Sequence, residues 1–129
     1  MTKTKAQQIM AATEVRAADD VTAAIQDIAA EFEPYIIKQR RHFHKHPELS
    51  LAEERTTSDI ANQLDAMNIP YERPLKTGLV ATLRGTAPDA YREDGTPRRR
   101  ILLRADIDAL PVTEQTGEEF ASVNEGCMH

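Results

Sequence analysis

Ile101-Leu102-Leu103-Arg104-Ala105-Asp106-Ile107-Asp108-Ala109-Leu110-Pro111 is an apolar run that opens into two aspartates. Arg99 to Ala105 reads as a strand. It is near-continuously apolar at Ile101 to Leu103, the pattern of an interior strand covered on both faces. Such a strand asks for neighbours on both sides. In α/β folds ligands bind beyond the carboxyl ends of strands. Period-2 alternation sets Asp106 and Asp108 on one side if the strand continues. Two carboxylates there can bind a hard cation, or orient a histidine that binds a softer one. The plain alternative is a polar strand end that caps the following turn.

Working outward, Thr77 to Gly85 reads as a second strand between glycines, and residues 86–98 as a loop of turn formers linking two antiparallel strands. Tyr71 to Pro74 is a weak β-like piece. Upstream, Ser50-Leu51-Ala52-Glu53 matches a capping box and predicts a helix from about Leu51 to Met67. That helix carries Ile60, Leu64 and Met67 on one face and is closed by Ile69-Pro70. Ile25, Ile28, Ala29, Phe32 and Ile36 fall at helical spacing. Pro34 interrupts them, either kinking the helix or opening a second one through Ile37 and Phe43. His46-Pro47 ends it. Residues 1–20 read as a flexible or loosely helical leader, and 112–129 as a polar loop. There is no internal repeat. The order implies an α/β fold with helices packed on a mixed sheet, and a sheet too small to stand alone.

A chain of 129 residues suffices for one domain. A net charge of −5 argues against non-specific nucleic-acid binding, and the basic runs Lys38–Lys45 and Arg98–Arg100 read as solvated faces. The absence of Trp and an aromatic content of 5% make a thin core. A single cysteine forms no internal disulfide, which suits a reducing compartment. No apolar run is long enough to span a membrane, and no apolar segment follows the basic N-terminus. The expectation is a cytoplasmic protein with neither nucleic-acid nor membrane partners.

The histidines offer two further candidates. His42 and His46 share a helix face, but Arg40, Arg41 and Lys45 crowd them. The plain reading is a basic helix end complementing the dipole. Cys127 and His129 form a C-x-H pair suited to zinc, cobalt or nickel, yet two ligands alone make a weak site.

Arg40-Arg41-His42-Phe43-His44-Lys45-His46-Pro47-Glu48-Leu49-Ser50, followed by Glu53-Glu54-Arg55-Thr56, resembles the opening of the aminoacylase / hippurate-hydrolase family. These are metal-dependent amidohydrolases of the metallopeptidase type, and they include the indoleacetyl-amino-acid hydrolases. Thr77-Gly78-Leu79-Val80-Ala81 fits the family's next strand, and Leu103 to Pro111 its strongest early motif. Glu119-Phe120-Ala121-Ser122 and Gly126-Cys127-Met128-His129 fit the approach to its metal loop, G-x-M-H-A-C-G-H-D. The resemblance runs from about Glu33 to the end.

It implies that Cys127 is the loop's variable position and that the ligand Cys and His come two and four positions beyond His129. No metal ligand is then expected within the chain, and the later catalytic Glu pair and ligand histidines are missing too. Arg104 stands where the wider family has the His of H-x-D. Asp106 keeps the Asp position, with an implied role of orienting a ligand, and Asp108 has no implied duty. The implied reaction is hydrolysis of the amide bond of N-acyl amino acids with two divalent ions (Zn, Mn, Co or Ni). The implied fold is a catalytic α/β domain split by a lid or dimerisation domain. On this reading residues 21–129 are the N-terminal portion of that catalytic domain. They are incomplete and inactive alone, bind no catalytic metal, and belong to an enzyme able to form homo-oligomers when full length. Two rivals stand beside it. One is a haloacid-dehalogenase-type phosphatase using Asp106 and Asp108; the other is a non-catalytic interaction module built from the helices at 21–67.

Overall fold

The first helix, α1 (Ala18–Lys45), runs unbroken through Pro34. This computed structural model describes residues 18–129, with side chains from Val21 onward. The expected leader therefore lies mostly outside the described residues. Of the two expectations for Pro34, a new helix is not what forms. The proline removes one donor but does not end the helix, because side chains on both sides of it share one face. Ala24, Ile28, Phe32, Tyr35, Gln39 and Phe43 are half-buried, as are His44 and Lys45 at the helix end, while Ile25, Ala29 and Ile36 of the expected stripe are exposed. Beyond Pro34 the Tyr35 hydroxyl donates to Gln63 Oε1 at 2.7 Å, and His42 Nε2 lies 2.9 Å from Asp59 Oδ2. Both partners belong to the second helix, α2 (Glu54–Met67).

That helix starts later than the capping-box reading places it. Leu51 takes a left-handed φ of 68°, and Ala52 N–H bonds back to Leu49 O, so residues 49–52 form a turn instead. No side chain of the N-cap residue, Glu53, caps the helix. The cap comes from outside: the Glu48 carboxylate accepts from Arg55 N at 3.1 Å and Thr56 N at 2.7 Å. A charged acceptor at a helix N-terminus satisfies orphan donors and meets the positive end of the dipole. Burial pushes the Glu48 carboxyl up, but the Thr56 and Arg55 donors outweigh it and hold it below its ordinary value. At the far end Asn68 adopts φ 57°, and Ile69 N bonds Leu64 O at 2.9 Å, closing the helix as a Schellman turn before Pro70.

After the helix, β1 (Tyr71–Glu72) pairs antiparallel with β2 (Val80–Ala81) in the register Tyr71↔Ala81. The loop between them is tied to α2, since Gly78 N donates to Thr57 Oγ1 at 2.8 Å. Gly78 has a φ of +77°, where a side chain would be strained. The expected strands at 77–85 and 99–105 shrink accordingly. Only Val80 and Ala81 of the first pair, and the second forms no ladder among the described residues. A strand is defined by its partners, and here none lies alongside. Ile101, Leu102 and Leu103 stand 88%, 87% and 90% exposed. The expected mixed sheet is thus a two-stranded antiparallel one, supplemented by a parallel bridge Leu49↔Ala109 and an antiparallel bridge Leu110↔Met128. Helices with a small sheet keep the chain in the α/β class.

The buried centre lies at the junction of these pieces. Pro47 and Thr57 are fully buried, with Ala61, Ala109 and Cys127 beside them in the interior.

Two expected outcomes test this junction. Glu48→Gln should lower stability by about 1 kcal/mol in chemical unfolding, while Ser50→Ala should leave it unchanged; the reverse order would restore the capping box. Thr57→Val should cost roughly 1–3 kcal/mol by orphaning the Gly78 N–H, and Thr57→Ser should retain most of the wild-type stability.

Candidate active-site segment

The segment leaving α1 is unusual in where its carbonyls go. Lys45 O accepts from Val123 N at 3.0 Å, and Glu48 O from Ala109 N at 2.9 Å. His46 O accepts from Arg55 Nη2 at 3.0 Å, and Pro47 O from Asn124 Nδ2 at 2.6 Å. Leu49 O takes Ala52 N at 3.0 Å. Each carbonyl is out of helical register, so each needs a donor from elsewhere. The donors come from α2, from the strand-like end at Ala109, from the C-terminal loop and, for Leu49 O, from Ala52 in the local turn. This is how residues distant in sequence reach one place.

Ala109 so held continues into Leu110, which exchanges two backbone bonds with Met128, at 2.9 and 3.1 Å. The pairing sets His129 against Asp108. Burial lowers the His129 imidazole below its ordinary value, and the positive charge of His44 adds to this. The Asp108 carboxylate and backbone oppose both. Asp108, His129 and His44 are therefore electrostatic neighbours.

Asp106 and Asp108 border one cleft of about 290 Å³, but Arg104, Ala105 and Ile107 line it too, so no strand-like alternation sets the two aspartates apart from their neighbours. Glu53 and Thr77 line its other wall. Glu53 is buried, and the Thr77 hydroxyl is the foremost of the groups that hold its carboxyl below the ordinary range, with the backbone N–H groups of Glu53 and Leu51 contributing. Asp106 itself is 64% exposed and pairs with Arg104 Nη2 at 2.6 Å. It orients no histidine among the described residues; its partner is the arginine at the expected His position.

Cys127 is buried. Burial first, then the Glu48 charge, pushes its thiol up, so it remains protonated near neutrality. His42 and His46 stand with ring centroids 5.2 Å apart. Burial lowers His46, helped by Arg55, His42 and Lys45 and opposed by Asp59. This pair belongs to the α1–α2 contact and not to the cleft, since His42 is engaged by Asp59.

The group that sequence reasoning missed is Glu114. Its side chain is 5% exposed and sits opposite His44 Nε2 at 2.9 Å. Ser122 N donates to its second oxygen at 2.6 Å, and the Thr116 hydroxyl donates to the first. Ser122 N, Thr116 and His44, in that order, bring the carboxyl to about 2. Phe120 covers this bond, edge-on to the His44 ring at 5.6 Å and under Arg41 at 4.8 Å. Glu114 lies in a polar stretch without periodicity, so no pattern marks it. Only the glutamate's spacing to Thr116 hints at a side-chain turn.

No protein-family model matches the chain. An uncharacterized hydrolase of Staphylococcus epidermidis is 43% identical over 95 residues, covering 74% of this chain and 22% of that protein. A Staphylococcus aureus relative, also an uncharacterized hydrolase, is 42% identical over the same length. The YXEP protein of Bacillus subtilis, a dinuclear metal-binding peptidase from the M20 family, superposes with a TM-score of 0.65 at 40% identity. The match covers 78% of this chain and 26% of that one. Over about four fifths of its length this chain is similar to an M20-family peptidase. A second solved structure, from methicillin-resistant Staphylococcus aureus, matches with a TM-score of 0.66 at 36% identity over 80% of this chain and 25% of that one. The chain spans about a fifth of the length of the curated hydrolases it matches. None of these matches is named as a phosphatase, the alternative reading of Asp106 and Asp108. No described helix is long and apolar enough to cross a membrane.

The carboxyl of Glu114 sets a pH dependence. Its folded value lies below the ordinary 4.5, so its stabilising contacts are complete above about 4.5 and are lost as pH falls toward about 2. In an NMR titration the Ser122 amide proton should stay constant down to pH 4 and move with a midpoint near 2; a midpoint near 4.5 would contradict the assignment.

Proposed function

We propose that this chain forms one wall of the active site of an M20 amidohydrolase that cleaves the amide bond of hippurate-like N-acyl amino acids in the cytoplasm. The observation that carries this reading is the Leu110–Met128 pairing. It brings the aspartates after the apolar run to the Gly126–His129 approach, so the two motifs of the resemblance meet in space. The neighbour described as a dinuclear metal-binding peptidase supports a two-metal chemistry for the whole protein.

The residues present do not themselves fit such a pair of ions. Among the described residues no group of three or more His, Cys, Asp or Glu is placed to hold a metal ion. The residues of this chain supply the frame: Asp106 and Asp108 at the cleft, and His129 at its edge. In the complete protein Asp106 would exchange Arg104 for a ligand side chain and orient it. The chain alone would hydrolyse nothing.

A chimera carrying this chain in place of the matching part of the YXEP protein tests the reading. With added Mn²⁺ or Zn²⁺ it should release benzoate from hippurate and lose that activity to EDTA, whereas the 129-residue chain should release none. Asp106→Asn in the chimera should lower kcat by about 10–100-fold. Metal-dependent benzoate release by the chain alone would sink the proposal, as would a chimera that folds and hydrolyses no N-acyl amino acid.

A further inference from the structure

The end of α1 and the residues just after it touch the C-terminal loop at three positions. His44 meets Ser122 through the shared carboxylate of Glu114. Lys45 O takes Val123 N at 3.0 Å. Pro47 O takes the Asn124 side chain at 2.6 Å. The loop then turns, with Cys127 N bonding Asn124 O at 3.2 Å, and delivers Met128 to its bridge with Leu110. Of the three ties, Lys45–Val123 is an ordinary backbone bond and Pro47–Asn124 a neutral side-chain one. The first is charge-assisted, buried and reached by donors from two elements, α1 and the loop itself. It also closes the excursion 114–122 at its base, because Glu114 and Ser122 are the two ends of that loop.

A loop of this kind has a free conformational choice at its base unless something fixes it. A carboxylate holding one end to the other, and both to a helix, removes that choice at one point. Residues 126–129 follow directly, steadied by the Leu110–Met128 pair, the Cys127–Asn124 bond and the contact of His129 with Asp108. A shift at Ser122 would carry through Val123 and Asn124 to Met128.

We propose that Glu114 is a positioning residue: by joining His44 to Ser122 it sets the register of Val123–His129 on the end of α1. It acts through the backbone and touches no reacting group. Its bearing on a metal loop rests on the amidohydrolase reading above; its effect on register does not.

Hydrogen exchange on the full chain reads the register directly. Glu114→Gln keeps the shape but removes the charge and one acceptor. Exchange should accelerate at least ~10-fold at the amides of Ser122 and Val123, and also at the remote pair Leu110 and Met128. The Thr57 and Ile69 amides of α2 should keep their rates. Acceleration confined to Ser122 would overturn the proposal, since the glutamate would then only close its own turn. Should Glu114→Gln loosen the whole chain, His44 decides. His44→Leu should accelerate Val123 and Met128 without touching α2, and His44→Gln, which retains a donor, should restore wild-type rates. Wild-type rates at Val123 and Met128 in His44→Leu would overturn it as well. None of these readouts involves metal or substrate. If the exchange pattern holds and the chimera hydrolyses nothing, the amidohydrolase reading fails and the positioning role stands.

Discussion

Everything in this chain hangs on the run of carbonyls from Lys45 to Leu49. Pro47 stops α1 from continuing, and the carbonyls that follow have no helical partner. Buried carbonyls left so would each cost on the order of 1–3 kcal/mol. They are satisfied instead by Val123, Arg55, Asn124, Ala109 and Ala52. Every other feature is a consequence of which segment supplied the donor. The Glu48 carboxylate, on the same short run, also starts α2. One proline-broken stretch thus ends a helix, begins the next, and fixes both the aspartate-bearing segment and the C-terminal loop.

The small core fits this arrangement. Its centre is Pro47, Thr57, Ala61, Ala109 and Cys127, small groups drawn from four segments. With so little apolar area, polar ties carry an unusual share of the specificity. Thr57 is buried but bonded to the Gly78 backbone, and the Thr77 hydroxyl acts on the buried Glu53 carboxylate, whose Oε2 has no partner among the described residues. Glu114 does the same for the loop before His129. A single buried carboxylate with several donors is worth more to a loop's placement than several surface pairs.

Much of this was legible in the sequence, for reasons that can be named. The helix ends at Pro47 and Asn68–Pro70 follow from local chemistry, and the local rules hold. Asp106 and Asp108 do border one cleft, but so do Arg104, Ala105 and Ile107, so proximity along the chain and not alternation brings them there. The Ser50 capping box failed because Leu51 turns left-handed, so the helix starts only at Glu54, where the Glu48 carboxylate takes the Arg55 and Thr56 N–H groups. The strand over 99–105 failed for the opposite reason. Its side chains are right for an interior strand, but ladders need partners, and the described residues supply none. Glu114 was invisible because its three donors lie at sequence distances that no periodicity relates.

The exposed run at Ile101–Leu103 has a bearing on how copies of this chain treat one another. A β-prone apolar segment with open backbone groups is a template for edge-to-edge association. Arg98, Arg99 and Arg100 precede it and Arg104 follows. An antiparallel self-pairing centred on Ile101 sets Arg98 opposite Arg104, and one centred on Leu102 sets Arg100 there. Asp106 already offsets part of the Arg104 charge through its 2.6 Å pair. Even so, the same arginines that flank the sheet-forming residues act as gatekeepers against aggregation, and their repulsion weakens as salt screens it.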